Sequence, residues 1–538
     1  PWLLACRSCI SKKGDRIGFG LYGDPPPPPS PPRCPRAPPE SVRPECISSV
    51  ISAAGLMISR TLVARGWRRA AFEAASDVHG FTRKQAFAFV SALSGESIYL
   101  SGGGGTGKSY AATRILEALG GCGVRVAPTR VAAALIDGIT LASYCGARPV
   151  RASLADVQHP RVLAPHEAYD RGHVEQEEDD EDVPLGCLFL PVSNPFVSER
   201  AAQTTALLLD ECSMVSELGL KVLEAVLEHA GSSPQMIVCG DFAQLPAVFK
   251  SGSVEREALD RGLCKQFLFE TDAWRRLGLI EIELDVNMRS RNAEWSSLLA
   301  EIRVSANLSA RQVERIRRMT STRAEEAAFS FMSFRNPNSR GPDIVTTNTR
   351  RYAGIDAPET VYHASDSVLP VGASRPRFRL PPAVKLKVGT SVAVTAGEHF
   401  GSIGVVEQLL PESVILRHGT TFEVGMHTEE RRVSRTVREG DRVVREPLGL
   451  ARRTQLPLRL CFGTTFHSGQ GMTVHETVDC HLDGVFTHGQ AYVGLSRSSD
   501  PSTMRVHGLR DGLWLRTDRR VIGHIRGMRG AALPAWVS

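Results

Sequence analysis

The 538-residue sequence lacks any run close to the roughly 20 consecutive apolar residues that a membrane-spanning helix needs. It therefore predicts a soluble protein with no membrane partner. The twelve cysteines are scattered and show no zinc-ribbon spacing, even where Cys6 and Cys9 lie close together, so we expect no zinc site there. The excess of basic residues is also small, with a net charge of +6. Any polyanionic partner is therefore expected to bind in a local groove.

The first 75 residues differ in composition from the rest of the chain. The segment 25–39 is rich in proline, which excludes a helix or a central strand, so we expect residues 1–75 to form a disordered extension. Met57 begins a basic stretch with hydroxyl side chains and few acids. Such a stretch is typical of a mitochondrial presequence and equally of a solvated linker, so both readings stay open, with a mitochondrial or nuclear location as the expectation.

A phosphate-binding loop organises the chain. The pattern G-x-x-x-x-G-K-S runs from Gly102 to Ser109, directly after a short apolar run and directly before a helical pattern. Glycines let backbone N–H groups turn toward a polyphosphate, Lys108 is placed to reach the β and γ phosphates, and the Ser109 hydroxyl can complete the shell of Mg²⁺. The sequence therefore predicts a nucleoside triphosphatase. Residues expected to bind the nucleotide are Gly102, Gly103, Gly104, Gly105, Thr106, Gly107, Lys108, Ser109 and Tyr110.

A glutamine some twenty residues before this loop is a candidate for base recognition. Gln85 lies in a helical pattern over 81–93. A side-chain amide can both donate to and accept from the adenine edge, which would select ATP. The alternative is an ordinary helical glutamine with no such role.

Two further strands of the first half end in residues suited to phosphate chemistry. The apolar run 206–209 is typical of a buried parallel strand and leads into Asp210 and Glu211. Asp210 is expected to hold Mg²⁺, and Glu211 to orient and deprotonate the attacking water. The strand 235–239 leads into Gly-Asp-x-x-Gln, where the amide of Gln244 is placed to sense the γ phosphate.

The second half repeats the alternation of strands and helices without a phosphate loop of its own. Arg289 and Arg497 are candidates to reach across a cleft to the γ phosphate, a contact worth about 10³ to 10⁵ in rate. Strands are predicted at 279–284, 343–347, 458–462, 477–482 and 503–507. The prediction is an α/β protein with a first domain at 76–285 and a second at 286–538.

Two regions interrupt this alternation. Residues 147–201 show no regular pattern and include an acidic block at 175–182, which predicts an insertion with a solvated loop. Residues 380–455 alternate apolar and polar positions between glycine turns, which predicts a small β-barrel inserted in the second domain. Thr129 and Arg130 follow the strand 124–127, where they either hold a nucleic-acid phosphate or form an ordinary connection.

These motifs together resemble the Pif (petite integration frequency) family of superfamily-one DNA helicases, which is related to RecD-type and Dda-type helicases. The resemblance covers about 81–508 and rests on GGGGTGKS, APTRVAA, LLLDECSMV, CGDFAQLPAV, NMRS, FHSGQGMTV and GQAYVGLSR. It implies two RecA-like domains with ATP and Mg²⁺ between them, and single-stranded DNA crossing both. It also implies a monomer that moves 5′ to 3′ and acts on duplex or junction DNA in genome maintenance. An RNA translocase and a nucleic-acid scaffold with a decayed ATPase are the alternatives.

The resemblance also implies roles for single residues. Gln85 would contact adenine, Gln244 would contact the γ phosphate, and Arg289 and Arg497 would be arginine fingers. The expected contacts with DNA are Thr129, Arg130, Ser143, Asn348 and His467.

Two motifs depart from the family pattern. His-Ser-Gly-Gln-Gly, from His467, replaces His-Lys-Ser-Gln-Gly, so one cationic contact near DNA is missing. Thr-Leu-Ala-Ser, from Thr140, replaces Thr-Ile-His-Ser. Both changes are expected to affect strand affinity more than ATP hydrolysis.

Overall fold

The computed structural model describes most of the chain from Arg68 onward. The described residues are 68–171, 186–321, 329–332, 344–367, 376, 378–439, 442–475, 477–513, 515, 517–529, 534 and 537. The predictions for residues 1–67, including the basic stretch from Met57, and for the acidic block at 175–182 lie outside them. Among the helices of the described ranges, none has the length and apolar character to cross a membrane.

The helices and strands follow one another as the alternating pattern predicts. The helices are α1 (Arg68–His79), α2 (Arg83–Leu93), α3 (Lys108–Leu119), α4 (Arg130–Leu135), α5 (Leu141–Cys145), α6 (Leu154–Gln158), α7 (Pro165–Asp170), α8 (Pro195–Gln203), α9 (Glu217–His229), α10 (Val254–Asp260), α11 (Asp272–Arg276), α12 (Ala293–Ile302), α13 (Ala310–Met319), α14 (Ile344–Ala353), α15 (Gln490–Leu495) and α16 (Arg519–Arg529). Short 3₁₀ turns lie at Cys212–Met214, Leu268–Glu270 and Pro501–Thr503.

The strands fall into two parallel sheets and several antiparallel ones. They are β1 (Ile98–Gly102), β2 (Gly123–Ala127), β3 (Ile139–Thr140), β4 (Ala147–Arg151), β5 (Cys187–Pro191), β6 (Ala206–Leu209), β7 (Gln235–Cys239), β8 (Ile280–Leu284), β9 (Phe329–Met332), β10 (Thr360–His363), β11 (Ser365–Asp366), β12 (Ala383–Leu386), β13 (Ser391–Val394), β14 (Ile403–Leu409), β15 (Ser413–His418), β16 (Thr420–Gly425), β17 (His427–Glu439), β18 (Arg442–Gln455), β19 (Leu458–Leu460), β20 (Gly463–Thr465), β21 (Val478–His481) and β22 (Met504–His507).

The first lobe is built on a parallel sheet of six strands in the order β3-β2-β6-β7-β1-β8. Its central strands β1 and β6 are buried along their whole length, because helices cover both faces of a parallel sheet. The carboxyl ends of neighbouring strands meet at one edge of such a sheet. Because the phosphate-binding loop follows β1, and the carboxylates and the Gly-Asp-x-x-Gln segment follow β6 and β7, these motifs lie side by side.

The second lobe is built on a parallel sheet in the order β20-β9-β21-β22. The prediction of a strand at 343–347 is wrong for its described residues, because 344–347 begin helix α14. The β-branched run there favours a strand by local preference, but Thr347 and Arg351, four residues apart, are buried on one face of the helix against β20. Strand β9 lies in the sheet instead.

An antiparallel sheet in the order β16-β15-β14-β13-β19 lies where the β-barrel insertion is predicted, and we keep the name barrel for it. Its apolar core includes Val392, Val406, Val414 and Leu416. The predicted strand at 458–462 is shorter than expected, since β19 ends at Leu460 and pairs with β13, and the next strand, β20, joins the second parallel sheet. Strand β10 pairs with β12, so the inserted unit begins before residue 380.

Three boundaries differ from the sequence prediction. Helix α1 begins at Arg68, within the range expected to be disordered, because Ala71 and Ala75 bury one helical face. In the region 147–201, β4 and β5 form an antiparallel pair and α6, α7 and α8 are helical, so the described parts contain regular elements that the sequence pattern does not predict. Helix α16 lies in the range predicted for the second domain, 286–538, but it packs on β8 of the first lobe. Val537 likewise belongs to the apolar core of the first lobe.

Candidate nucleotide site and adjoining cavity

The phosphate-binding loop adopts a conformation that only glycine permits at two positions. Gly105 and Gly107 have φ angles of +85° and +76°. A β-carbon at Gly105 would lie 2.5 Å from the β-carbon of Arg289, and one at Gly107 would lie 2.7 Å from Nε2 of Gln85. The loop is therefore held closely from both sides.

Lys108 is buried at the start of α3. Its Nζ donates to the carbonyl oxygens of Gly102 (2.8 Å) and Gly103 (3.1 Å). Burial lowers the pKa of Lys108, although the charges of Asp241 and Glu211 oppose this. Ser109, the next residue, lines a cavity that Lys108 also lines, at the positive end of the α3 dipole.

The two adjacent carboxylates follow β6. Oδ1 of Asp210 accepts from the backbone N–H of Glu211 (2.8 Å) and from the Cys239 thiol (2.9 Å). Glu211 has φ +50° and ψ +43°, a left-handed conformation that costs about 1 to 3 kcal/mol for a residue other than glycine. Its Oε2 accepts from Nε2 of Gln470 in the second lobe (2.9 Å). Burial and then the charge of Asp210 raise the pKa of Glu211.

Gln244 presents an unpaired amide oxygen to the cavity. It is buried, with its backbone N–H donating to the carbonyl oxygen of Asp241 (2.8 Å). Its Oε1 meets no hydrogen-bond donor within the described part of the chain. A buried polar atom without a partner is costly, and a ligand's donor or a bound water at this point would satisfy it.

Two guanidinium groups of the second lobe reach the loop. Arg289 donates from Nη1 to the carbonyl oxygen of Ser496 (2.8 Å), and Arg497 donates from Nε to that of Val493 (3.0 Å). Burial, together with the charge of Arg497, lowers the pKa of Arg289 to about 9. Burial also lowers the pKa of Arg497. Two cations close together, one buried and one partly buried, favour an anion between them.

One cavity of about 570 Å³ joins these groups. Its walls include Lys108, Ser109, Asp210, Glu211, Gln244, Arg289 and Arg497. The residues present therefore fit a nucleoside triphosphate with its metal: cations and loop N–H groups for the phosphates, and hydroxyl and carboxylate oxygens for Mg²⁺.

Second-lobe residues that sequence reasoning missed also hold the loop. The backbone N–H of Gly104 donates to the Tyr492 hydroxyl (3.0 Å), and Nδ2 of Asn287 donates to the Gly104 carbonyl oxygen (3.2 Å). The backbone N–H of Met288 donates to the Gly105 carbonyl oxygen (2.7 Å). These residues lie inside the motifs NMRS and GQAYVGLSR, so their positions next to the two arginines could have marked them as candidates for contact with the loop.

Gln85 lies behind the loop. Its Nε2 donates to the Thr106 carbonyl oxygen (3.1 Å), while its Oε1 accepts from the Thr82 backbone N–H (2.9 Å) in the cap of α2. Both the nitrogen and the oxygen of this amide are therefore hydrogen-bonded within the protein. The contact with adenine stays a prediction, and forming it would require the amide to break these two bonds. Tyr110 lines the cavity, and its ring packs edge-on against Phe81.

A second cavity, of about 790 Å³, lies between the lobes and the barrel. Thr129, Arg130 and His467 line it, together with Glu211 and Gln470. Its other walls include the basic and aromatic residues Arg379, Arg459, His427 and Phe400. Such a mixture of cations and a ring suits a single nucleic-acid strand.

Two of the expected DNA contacts do not line this cavity. The backbone N–H of Ser143 donates to Oγ1 of Thr140 (3.1 Å) in the cap of α5. Oδ1 of Asn348 accepts from the backbone N–H of Gly463 (2.9 Å) beside β20. The structure thus gives each of them a local contact instead.

Comparisons with known proteins find similar sequences over most of the chain. Residues 85–250 match the family described as AAA domain. The chain is 30% identical over 458 residues to the ATP-dependent DNA helicase PIF1 of Homo sapiens, an alignment that covers 82% of this chain and 63% of that protein. It is 23% identical to the ATP-dependent DNA helicase Pif1 of Bdellovibrio bacteriovorus, with 79% and 87% covered. The chain is thus strongly similar to Pif1 helicases of superfamily one.

Solved structures of Pif proteins share the fold. The Pif1 helicase from Candida albicans superposes with a TM-score of 0.59 at 22% identity, covering 83% of this chain and 99% of that one. Bacteroides Pif1 bound to single-stranded DNA superposes with a TM-score of 0.58 at 21% identity, covering 83% and 97%. The prediction of two RecA-like domains is confirmed. The chain spans 63 to 65% of the length of its human, rat and mouse Pif relatives.

Proposed function

We propose that this protein is an ATP-dependent DNA helicase that moves 5′ to 3′ along single-stranded DNA. One observation carries the proposal: a single cavity joins the phosphate-binding loop, carboxylates and Gln244 of the first lobe to Arg289 and Arg497 of the second. Hydrolysis at such a seam is coupled to lobe movement because each lobe supplies part of the site. Relatives named as ATP-dependent DNA helicases and a Pif1 structure bound to single-stranded DNA support the proposal.

ATP and Mg²⁺ are the proposed ligands of the first cavity. The Ser109 hydroxyl and the Asp210 carboxylate would hold the metal, which neutralises charge on the phosphates when bound. Lys108 would give up its hydrogen bonds to the loop carbonyl oxygens and donate to the phosphates instead. Arg289 and Arg497 would offset charge that develops on the transferred phosphoryl group.

Glu211 is the proposed general base for the attacking water. A carboxylate whose pKa is raised by burial accepts a proton more readily, which suits this role. Gln470 holds the carboxylate from the second lobe, and His467 and Ser468 of the same turn line the second cavity. A nucleic-acid strand bound in that cavity would therefore change the orientation of the Glu211 carboxylate through this turn. This is the proposed origin of stimulation by DNA.

Single-stranded DNA is the proposed occupant of the second cavity, and a monomer is the proposed active form. The cavity favours a nucleic-acid strand through Arg130, His467 and Phe400 without distinguishing DNA from RNA. One solved structure concerns two coordinating Pif1 helicases at forked duplex DNA. Light scattering of the protein on single-tailed DNA checks the monomer, and a dimer there would contradict it.

The test is ATP hydrolysis and strand separation by the wild type and by Lys108→Ala. We expect hydrolysis to rise with single-stranded DNA more than with RNA of equal length, and unwinding only of duplexes with a 5′ tail. Lys108→Ala should abolish both activities while leaving strand binding measurable, because the lysine is needed for the phosphates. The control is Lys250→Ala at an exposed lysine of the same lobe. Unwinding from a 3′ tail, or full activity of Lys108→Ala, would contradict the proposal.

A further inference from the structure

An arginine of the second lobe is buried inside the first. Arg303 follows α12, which packs on α13 and α15, and its side chain is 2% exposed. Its Nε donates to Oδ1 (3.0 Å) and Oδ2 (3.2 Å) of Asp241, and its Nη1 donates to Glu283. Its Nη2 donates to Oγ of Ser101 (3.2 Å). A single guanidinium group thus crosses between the lobes and binds three side chains.

These three partners lie at the ends of neighbouring strands that carry the nucleotide site. Ser101 is in β1, directly before the phosphate-binding loop, and Glu283 is in β8 beside it. Asp241 follows β7, and its Oδ1 accepts from the backbone N–H of Ala243 (3.0 Å), next to Gln244. The guanidinium therefore contacts both segments that would surround the γ phosphate.

The electrostatics of this cluster depend on the arginine. Asp241 and Glu283 are both buried, and two buried carboxylates without a cation repel each other and lose solvation. Burial by itself lowers the pKa of Arg303, but the charges of Asp241 and Glu283 outweigh it and hold that pKa above its usual range. The first lobe thus has two buried acids whose main counter-ion comes from the second lobe.

We propose that Arg303 is a positioning residue that transmits lobe movement to the phosphate-binding loop and to the Gly-Asp-x-x-Gln segment. When the second lobe rotates on binding a strand, the guanidinium group moves Ser101 and Asp241 with it and so sets the distance between Lys108 and Gln244. The inference rests on the proposed function, since it concerns how single-stranded DNA accelerates hydrolysis.

The test is the ratio of kcat for ATP hydrolysis with and without oligothymidylate in Arg303→Gln. The ratio does not depend on the fraction of folded protein, so a merely structural role would leave it unchanged. We expect it to fall roughly 10- to 100-fold, because small misplacements of reacting groups have effects of this size, while KM for ATP changes by less than about threefold.

Two further variants make the test specific. Arg529→Gln removes an arginine that binds the same Glu283 (3.1 Å) from the surface of α16, and its ratio should equal the wild type's. Arg303→Lys keeps the charge but reaches fewer partners, and it should give an intermediate ratio. The inference is overturned if Arg303→Gln has the wild-type ratio. If the glutamine variant does not fold, a wild-type ratio in Arg303→Lys overturns it. A fall in Arg529→Gln as large as that in Arg303→Gln also overturns it. A ratio of one in the wild type contradicts the proposed function and the inference together.

Discussion

At the scale of single residues, Glu211 combines a left-handed backbone with a carboxylate that is bonded from the other lobe. Its backbone is left-handed, Asp210 lies next to it, and Gln470 reaches its carboxylate from the other lobe. The adjacency of the two carboxylates after a buried strand could be read from the sequence. The partner from the second lobe could not, because Gln470 is 259 residues away and only the arrangement of the lobes brings it there.

Glu211→Gln tests the chemistry and the stability of this residue together. Because burial raises the pKa of Glu211, the folded chain binds the proton more tightly than the unfolded chain does. This contribution to stability is present at low pH and is lost as the pH rises through the folded pKa. The variant should therefore be more stable than the wild type near neutral pH, while kcat falls roughly 10² to 10⁴-fold.

Thermal unfolding at about pH 5 and about pH 7.5 measures this difference, which should grow with pH. Glu228→Gln, on the partly exposed surface of α9, is the control and should change neither quantity. A Glu211→Gln variant that is less stable at the higher pH would contradict the assignment.

At the scale of elements, the turns at the carboxyl ends of the strands determine the site more than the helices do. The loop between β1 and α3 follows from its glycines and lysine, so its conformation was predictable from the sequence. Helix α14 was not, because its β-branched residues favour a strand locally and burial of Thr347 and Arg351 overrides that preference. The departure at Gly469 also has a structural reason, since a β-carbon there would overlap the Phe331 ring.

Gly105→Ala should weaken nucleotide binding strongly. The substitution places a β-carbon 2.5 Å from that of Arg289 and forces a left-handed alanine, which alone costs roughly 1 to 2 kcal/mol. Isothermal titration with ADP measures the loss, which should exceed tenfold in affinity, about 1.4 kcal/mol. Gly231→Ala, with φ +61° and no atom within 4 Å of its β-carbon, is the matched control for the backbone effect and should bind normally. Equal binding by both variants would contradict the close contact of Arg289 with the loop.

Ser468→Lys should increase affinity for single-stranded DNA. Ser468 lines the second cavity at the position where the Pif pattern has lysine, so the new ammonium group can neutralise one phosphate. The logarithm of affinity should then fall more steeply with the logarithm of salt, by about 0.7, as one more counterion is released. Fluorescence anisotropy over a salt series measures this slope. Ser251→Lys, at an exposed position of the first lobe, should leave it unchanged. An unchanged slope in Ser468→Lys would place the strand elsewhere.

At the scale of the whole molecule, the chain crosses between its lobes more than once. Helix α16 returns to the first lobe, where His524 stacks on Phe269 with ring centroids 4.3 Å apart and Arg520 pairs with Glu270 (3.0 Å). The sequence showed where strands alternate with helices and where the barrel is inserted. It could not show this return, because apolar spacing identifies a buried helical face without identifying the surface that covers it.

Ile525→Ala should destabilise the protein by about 2 to 5 kcal/mol, because it removes a fully buried side chain of α16, the helix that packs on β8. Denaturant unfolding measures the change. Arg526→Ala, the adjacent exposed position of the same helix, is the control and should change stability by less than about 0.5 kcal/mol. A loss below about 1 kcal/mol would mean that α16 contributes little to holding the lobes together.

The position of Glu211 in the walls of both cavities has a practical consequence. Under the role proposed for Glu211, a small molecule bound against this carboxylate from the second cavity would slow hydrolysis without competing with ATP. Such an inhibitor would keep its potency at high nucleotide concentrations, and a resistant variant with a substitution of Glu211 would lose the proposed general base.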